Sequence, residues 1–257
     1  MLLVKFGGSI ITDKSKLRTA RRSTIERLAK EISVAQDDMI LVHGAGSFGH
    51  ILAKKYRLHE GYHDNSQMKG VSEVQRDVRE LNHMVIDALR KVGASPVSVP
   101  PSITAQFKNG QLSSLDVRPF KEYLSLNLIP VTFGDVVIDS EKRFGICSGD
   151  DLMVELSKAF EPSLSLFVTD VDGVFTSDPK GKGKPKFLKE VSIEDITKLD
   201  VSMRTNVDVT GGLEGKLKKI FASAAFTEET WILNGNVAGR VEDAIRGKSF
   251  IGTKVVT

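Results

Sequence analysis

Leu2-Leu3-Val4-Lys5-Phe6-Gly7-Gly8-Ser9 opens the chain with an apolar run of strand length, interrupted by one lysine and ended by a glycine pair. A short apolar run stopped by glycine reads as a buried strand. Its lysine then stands just before a loop whose missing side chains expose backbone N–H groups, and such a loop can cradle phosphate oxygens. The pattern recurs at residues 39–42, which run into His43-Gly44-Ala45-Gly46-Ser47-Phe48-Gly49-His50. Either loop alone would be an ordinary tight turn. Together, at the carboxyl ends of two strands of an open α/β sheet, they can approach one another and hold a donor and an acceptor in line.

Working outward, strand-like runs recur at 96–99, 128–133, 164–168 and 231–233, with amphipathic helical patterns over 19–35, 71–92, 150–160 and 212–226. Such alternation implies a mainly parallel sheet covered on both faces. Lys108-Asn109-Gly110-Gln111 reads as a hairpin turn, since Asn-Gly accepts the positive φ of tight hairpins. A second hairpin is expected around 139–143. The lysine-rich loop 180–186 reads as a solvated surface segment, and no linker divides the chain, so 1–257 is treated as one folding unit.

The 257 residues are 40% hydrophobic and 27% charged, a globular composition, and the first residues, apolar only briefly before charge and glycine, read as neither a signal peptide nor a spanning helix. A cytoplasmic location is the default. The net charge of +3 is spread along the chain, unlike the basic stripe of a nucleic-acid binder. No nucleic acid or membrane partner is expected; a small anion is. Cys147 is the single cysteine, with no base in its sequence context, and reads as a small buried hydrophobe.

Neither glycine loop is a Walker loop or a dinucleotide fingerprint. Farther on, Thr169-Asp170-Val171-Asp172-Gly173-Val174 ends another strand with two acids and a glycine, positioned to border a ribose or an ammonium. Asp208-Val209-Thr210-Gly211-Gly212 leads toward a helix carrying Lys216 in its first turns. A cation there opposes the macrodipole, which has a use if Lys216 meets an incoming phosphate.

These stations, with Gly134-Asp135 and Ser148-Gly149-Asp150-Asp151, resemble the amino acid kinase superfamily over nearly the whole chain. Gly44 to His50 together with Ser9-Ile10-Ile11-Thr12-Asp13-Lys14 is similar to the isopentenyl phosphate kinase group within it. The resemblance implies a three-layer αβα sandwich, a homodimer, an acceptor-binding lobe near 1–160 and a nucleotide-binding lobe near 161–257. It also implies transfer of the ATP γ-phosphoryl group to isopentenyl phosphate, in an alternative mevalonate route. Lys5, Lys14 and Lys216 would neutralise the transferring group, Asp150 would orient the lysines, and His50 would bond the acceptor phosphate. Ala45, His50 and Gly149 would border the acceptor. Lys5, Gly7, Gly8, Ser9, Gly46, Asp170, Gly173, Gly212 and Lys216 would hold the nucleotide. Mg²⁺ is implied with ATP and needs no protein ligand, since it keeps waters and takes phosphates. The alternatives are a kinase of another small phosphate or phosphonate, such as a fosfomycin-type kinase, and a noncatalytic nucleotide-binding protein.

Overall fold

The computed structural model describes residues 1–177, 185–198 and 212–257, apart from the side chains of 196–198 and 212–214. Most of the lysine-rich loop 180–186 and the Asp208–Gly211 station lie outside the described residues.

The first strand, Leu2–Phe6, lies at the centre of an eight-stranded sheet. The strand order is Glu190–Val191, Gly252–Val255, Glu229–Asn234, Leu164–Thr169, Leu2–Phe6, Met39–His43, Ile129–Phe133 and Pro96–Ser98. Six of these run parallel; the pair at the Glu190 edge runs the opposite way. The six expected strands are all present, each within a residue or two of its expected ends. A strand's alternation assigns its two faces. Leu2, Val4 and Phe6 pack with Ile25, Leu28 and Ile32 of the helix Arg22–Ile32 and with Leu81, Val85 and Leu89 of the helix Ser66–Lys91. Leu3 faces the opposite layer, with Leu152 and Leu156 of the helix Gly149–Phe160 and Leu217 and Ile220 of the helix Gly212–Ala224. This is the expected three-layer sandwich, and it sends Lys5 toward the Gly149–Phe160 helix.

Two helix starts differ from their expected places. The pattern beginning at 71 misses a polar first turn at Ser66, where the Asp64 carboxylate accepts from the Ser66 amide at 2.8 Å and Gln67 Oε1 from the His63 amide at 2.6 Å. The helix expected from 19 begins at Arg22 because Thr19 is engaged elsewhere, its amide donating to Ser47 Oγ at 3.2 Å. A second, four-stranded sheet combines both expected hairpins, in the order Gln111–Leu115, Ala105–Lys108, Asp135–Asp139, Arg143–Cys147. Asn109 and Gly110 have φ of 51° and 79°, as the Asn-Gly turn requires. The Asp139 carboxylate joins the two turns, accepting from the amides of Gly110 at 2.6 Å and Lys142 at 2.7 Å.

His43 ends the second strand fully buried, stacked on Phe133 at a centroid distance of 5.3 Å. Nδ1 donates to Gly44 O at 3.2 Å and Nε2 accepts from Asn82 at 3.1 Å, which fixes a neutral ring. Burial pulls its pKa down to about 4. The unfolded chain protonates near the ordinary value, so this stability is present above pH 6.5 and lost as pH falls toward 4. His43 alone is expected to remove about 2 kcal/mol of unfolding free energy between pH 7 and pH 5. Urea denaturation at the two pH values should show a smaller loss for His43→Gln than for the wild type; equal losses would contradict the assignment.

Candidate active site

Five neighbouring strands end together, and in four of them the next residue is a glycine that extends the ladder by one bond. Gly7 donates to Val168 O at 2.9 Å, Gly44 to Phe6 O at 2.9 Å, Gly134 to His43 O at 3.0 Å and Gly235 to Thr169 O at 2.8 Å. The loops that follow Gly7 and Gly44 then interlock. A Cβ on Gly44 would lie 2.6 Å from the Gly8 nitrogen, and one on Gly8 would lie 2.6 Å from the Gly46 nitrogen. Both obstacles are backbone, which cannot swing aside. The Thr12 hydroxyl locks the contact, donating to Gly8 O at 2.7 Å and accepting from the Ser47 amide at 3.0 Å.

Across from these loops the helix Gly149–Phe160 begins with a capping box: the Asp151 amide donates to Ser148 Oγ at 3.2 Å, and the Ser148 amide to Asp151 Oδ2 at 2.9 Å. A Cβ on Gly149 would lie 3.1 Å from Lys5 Cε, so glycine lets the lysine pass closely. Lys5 Nζ forms an ion pair with Asp150, and both side chains are buried. Burial lowers the Lys5 pKa to about 8, against the attraction of Asp150, and the charge of Lys216 lowers it further. Burial pushes the Asp150 carboxyl upward, but Lys5 and Lys216 outweigh it and leave it below its ordinary value. One turn after Lys216, Lys219 Nζ lies 2.7 Å from Asp151 Oδ1 and holds the two helices together.

Between these elements lies an open cleft of about 670 Å³, counting the solvent space at its mouth. Of the residues singled out by sequence, Lys5, Gly7, Gly8, Ser9, Lys14 and Lys216 line it. So do Ala45, His50, Gly149 and Asp150. Gly46, Asp170 and Gly173 are not in its lining. Gly46 is buried behind the loops with φ of 50°, where it meets Gly8 and Thr12. Asp170 accepts from Ser9 Oγ at 2.9 Å, and Gly173 packs against Thr253. Gly212 opens the helix that carries Lys216.

Sequence reasoning missed the cleft's apolar wall, formed by Ala53, Val74 and Ile146 with Ala45, all from one packed cluster. On the helix Ser66–Lys91, Val78, Leu81, Val85 and Leu89 are buried in the core and Ile86 is partly buried, while Val74 turns to the cleft. Cys147 is buried as expected, its thiol pKa raised by burial, and it also lines the cleft. Asp135, though part of the Gly134-Asp135 station, was given no role from sequence. Burial raises its pKa to about 6, offset in part by Arg79, whose Nη2 stands 3.3 Å away. Asp135 Oδ2 makes no well-aligned hydrogen bond, so this is a charge contact.

The profile of the amino acid kinase family matches residues 1–234. The chain belongs to that family. A member from Thermoplasma acidophilum named isopentenyl phosphate kinase is 38% identical over 99% of this chain and 100% of its own length. Another of that name, from Methanothermobacter thermautotrophicus, is 36% identical over 99% and 98%. A crystal structure described as an isopentenyl phosphate kinase substrate complex superposes with a TM-score of 0.84 at 35% identity, covering 100% of both chains. The amino acid kinase fold therefore accounts for the whole chain, with the strand-end cleft at its centre.

Within this family member, Lys5 is expected to titrate near pH 8 in a lysine-selective NMR experiment. Asp150→Asn removes the carboxylate that offsets burial, so the Lys5 pKa should fall further. A value in the ordinary lysine range above 10 would contradict the buried pair.

Proposed function

We propose that the chain transfers the γ-phosphoryl group of ATP to isopentenyl phosphate, giving isopentenyl diphosphate and ADP. The observation that carries the proposal is one cleft with two unlike walls. Lys5, Lys216 and the glycine-loop amides suit phosphate oxygens, while Ala45, Ala53, Val74 and Ile146 suit a short hydrocarbon tail. The similarity to chains named isopentenyl phosphate kinase, over nearly full length on both sides, supports it.

An oxygen of the acceptor phosphate attacks the γ-phosphorus, forming a new P–O bond as the bond to ADP breaks. The nucleophile is already anionic, so the step needs charge stabilisation and alignment rather than a base. Lys5, Lys14 and Lys216 supply positive charge, and Asp150 holds Lys5 in place. His50 donates a hydrogen bond to the acceptor phosphate. The backbone contact of Gly8 with Gly44 and Gly46 fixes the separation of the two phosphate loops.

In the same proposal, residues near 1–160 bind the acceptor, and those near 161–257 bind the nucleotide, with Asp170, Gly173 and Gly212 on the nucleotide's side. A Mg²⁺ carried by the nucleotide's own phosphates would neutralise part of their charge. No helix among the described residues is long and apolar enough to cross a membrane. A homodimer in the cytoplasm completes the proposal and rests on the family resemblance.

The test is ADP release by the purified protein with Mg-ATP and isopentenyl phosphate, with dimethylallyl phosphate, fosfomycin and uridylate as comparison acceptors. Isopentenyl phosphate should be the preferred acceptor over fosfomycin and uridylate. His50→Ala should lower kcat/KM by between about ten- and a hundredfold, the value of a hydrogen bond to a charged group. Turnover on fosfomycin alone would replace the substrate, and nucleotide binding without ADP release on any acceptor would refute the enzyme.

A further inference from the structure

Lys14 stands on an exposed segment, residues 13–19, between the short helix Gly8–Ile11 and the helix Arg22–Ile32. A lysine on an exposed loop is a poor instrument for a reaction in which a misplacement of about 1 Å costs about a hundredfold. Some contact must therefore fix the segment. Its base is closed by the Asp13 amide on Thr19 O at 2.9 Å and by a bridge between Thr12 and Ala20. Its tip carries a local turn, in which Asp13 Oδ1 accepts from the Ser15 amide at 3.0 Å.

Among the described residues, Arg18 supplies a long-range connection. Its amide donates to Ser47 O at 3.3 Å, on the second glycine loop's helix, and its Nε donates to Asp77 Oδ2. Asp77 is fully buried on the helix Ser66–Lys91, and its other oxygen accepts from Arg76 Nη2 at 2.6 Å. Arg18 has φ of 51°, a left-handed conformation that a non-glycine residue holds only when its surroundings impose it. Asp77 lies three residues beyond Val74, on the adjoining turn of the same helix. The element that walls the acceptor's apolar side thus also anchors the loop that brings Lys14 to the cleft.

We propose that Arg18 and Asp77 are positioning residues that set where Lys14 stands and act on phosphoryl transfer through Lys14 alone. The role given to Lys14 rests on the function proposed above.

A double-mutant cycle separates positioning from general support of the fold. Arg18→Ala is expected to lower kcat by about ten- to a hundredfold, with the KM for ATP little changed. In a Lys14→Ala background the same substitution should change kcat by less than about twofold, and Arg18→Lys should recover part of the loss. Full activity of Arg18→Ala, or an equal loss in both backgrounds, would overturn the proposal. Limited trypsin digestion of the full chain reads the tether without turnover. Cleavage after Lys14 and Lys16 should be about tenfold faster in Arg18→Ala, and an unchanged rate would overturn it too. Should the wild type fail to phosphorylate isopentenyl phosphate, the proposed function falls, while the digestion still decides whether Arg18 tethers the segment.

Discussion

Lys5 and Asp150 meet at the buried end of the central strand, and the charge of the site is arranged around that contact. An ammonium taken out of water requires a partner, and one carboxylate among nearby lysines compensates it incompletely, which is why the Lys5 pKa falls to about 8. An apolar pair of similar size would serve the fold at least as well. In the proposed reaction, phosphate oxygens beside Lys5 and Lys216 would add the negative charge that compensates these cations. Asp150 can reach Lys5 because the Ser148 capping box sets the first turn of its helix. Lys219 then ties that turn to the helix bearing Lys216 through Asp151.

The second constraint is steric. Gly8, Gly44 and Gly46 touch backbone to backbone, leaving no room for even one methyl group. Two glycine loops on neighbouring parallel strands are thereby held at a fixed separation, and in the proposed reaction that positioning is the main contribution a protein can make to phosphoryl transfer. The Thr12 hydroxyl spans the two loops, and residue 13 begins the segment that carries Lys14. Charge placement and loop spacing are thus set within a short stretch of the first crossover.

Much of this was legible in sequence because it depends on local pattern. The apolar runs with glycine ends marked the parallel strands, and Asn109-Gly110 marked its turn. Lys5, Lys14, His50, Asp150 and Lys216 were singled out from strand-end loops and the family resemblance, and they do share one cleft. What was illegible depends on pairing across long stretches of chain. Arg18 with Asp77, and Arg79 with Asp135, look like ordinary surface charges until the fold buries one partner of each. The edge strands Glu190–Val191 and Gly252–Val255 are too short to show an alternation. Val74 could not be told from core, because a cleft wall and a core face repeat with the same helical period.

The central claim is that two anions held by interlocked loops exchange a phosphoryl group directly, with charge stabilisation from lysines and no covalent enzyme intermediate. The measurement that tests it most directly is the stereochemical course at phosphorus, using ATP made chiral at the γ position and isopentenyl phosphate as acceptor. A single in-line displacement inverts the configuration, and inversion is the result the cleft requires. Retention would mean two displacements through a phosphorylated side chain, and would contradict the account.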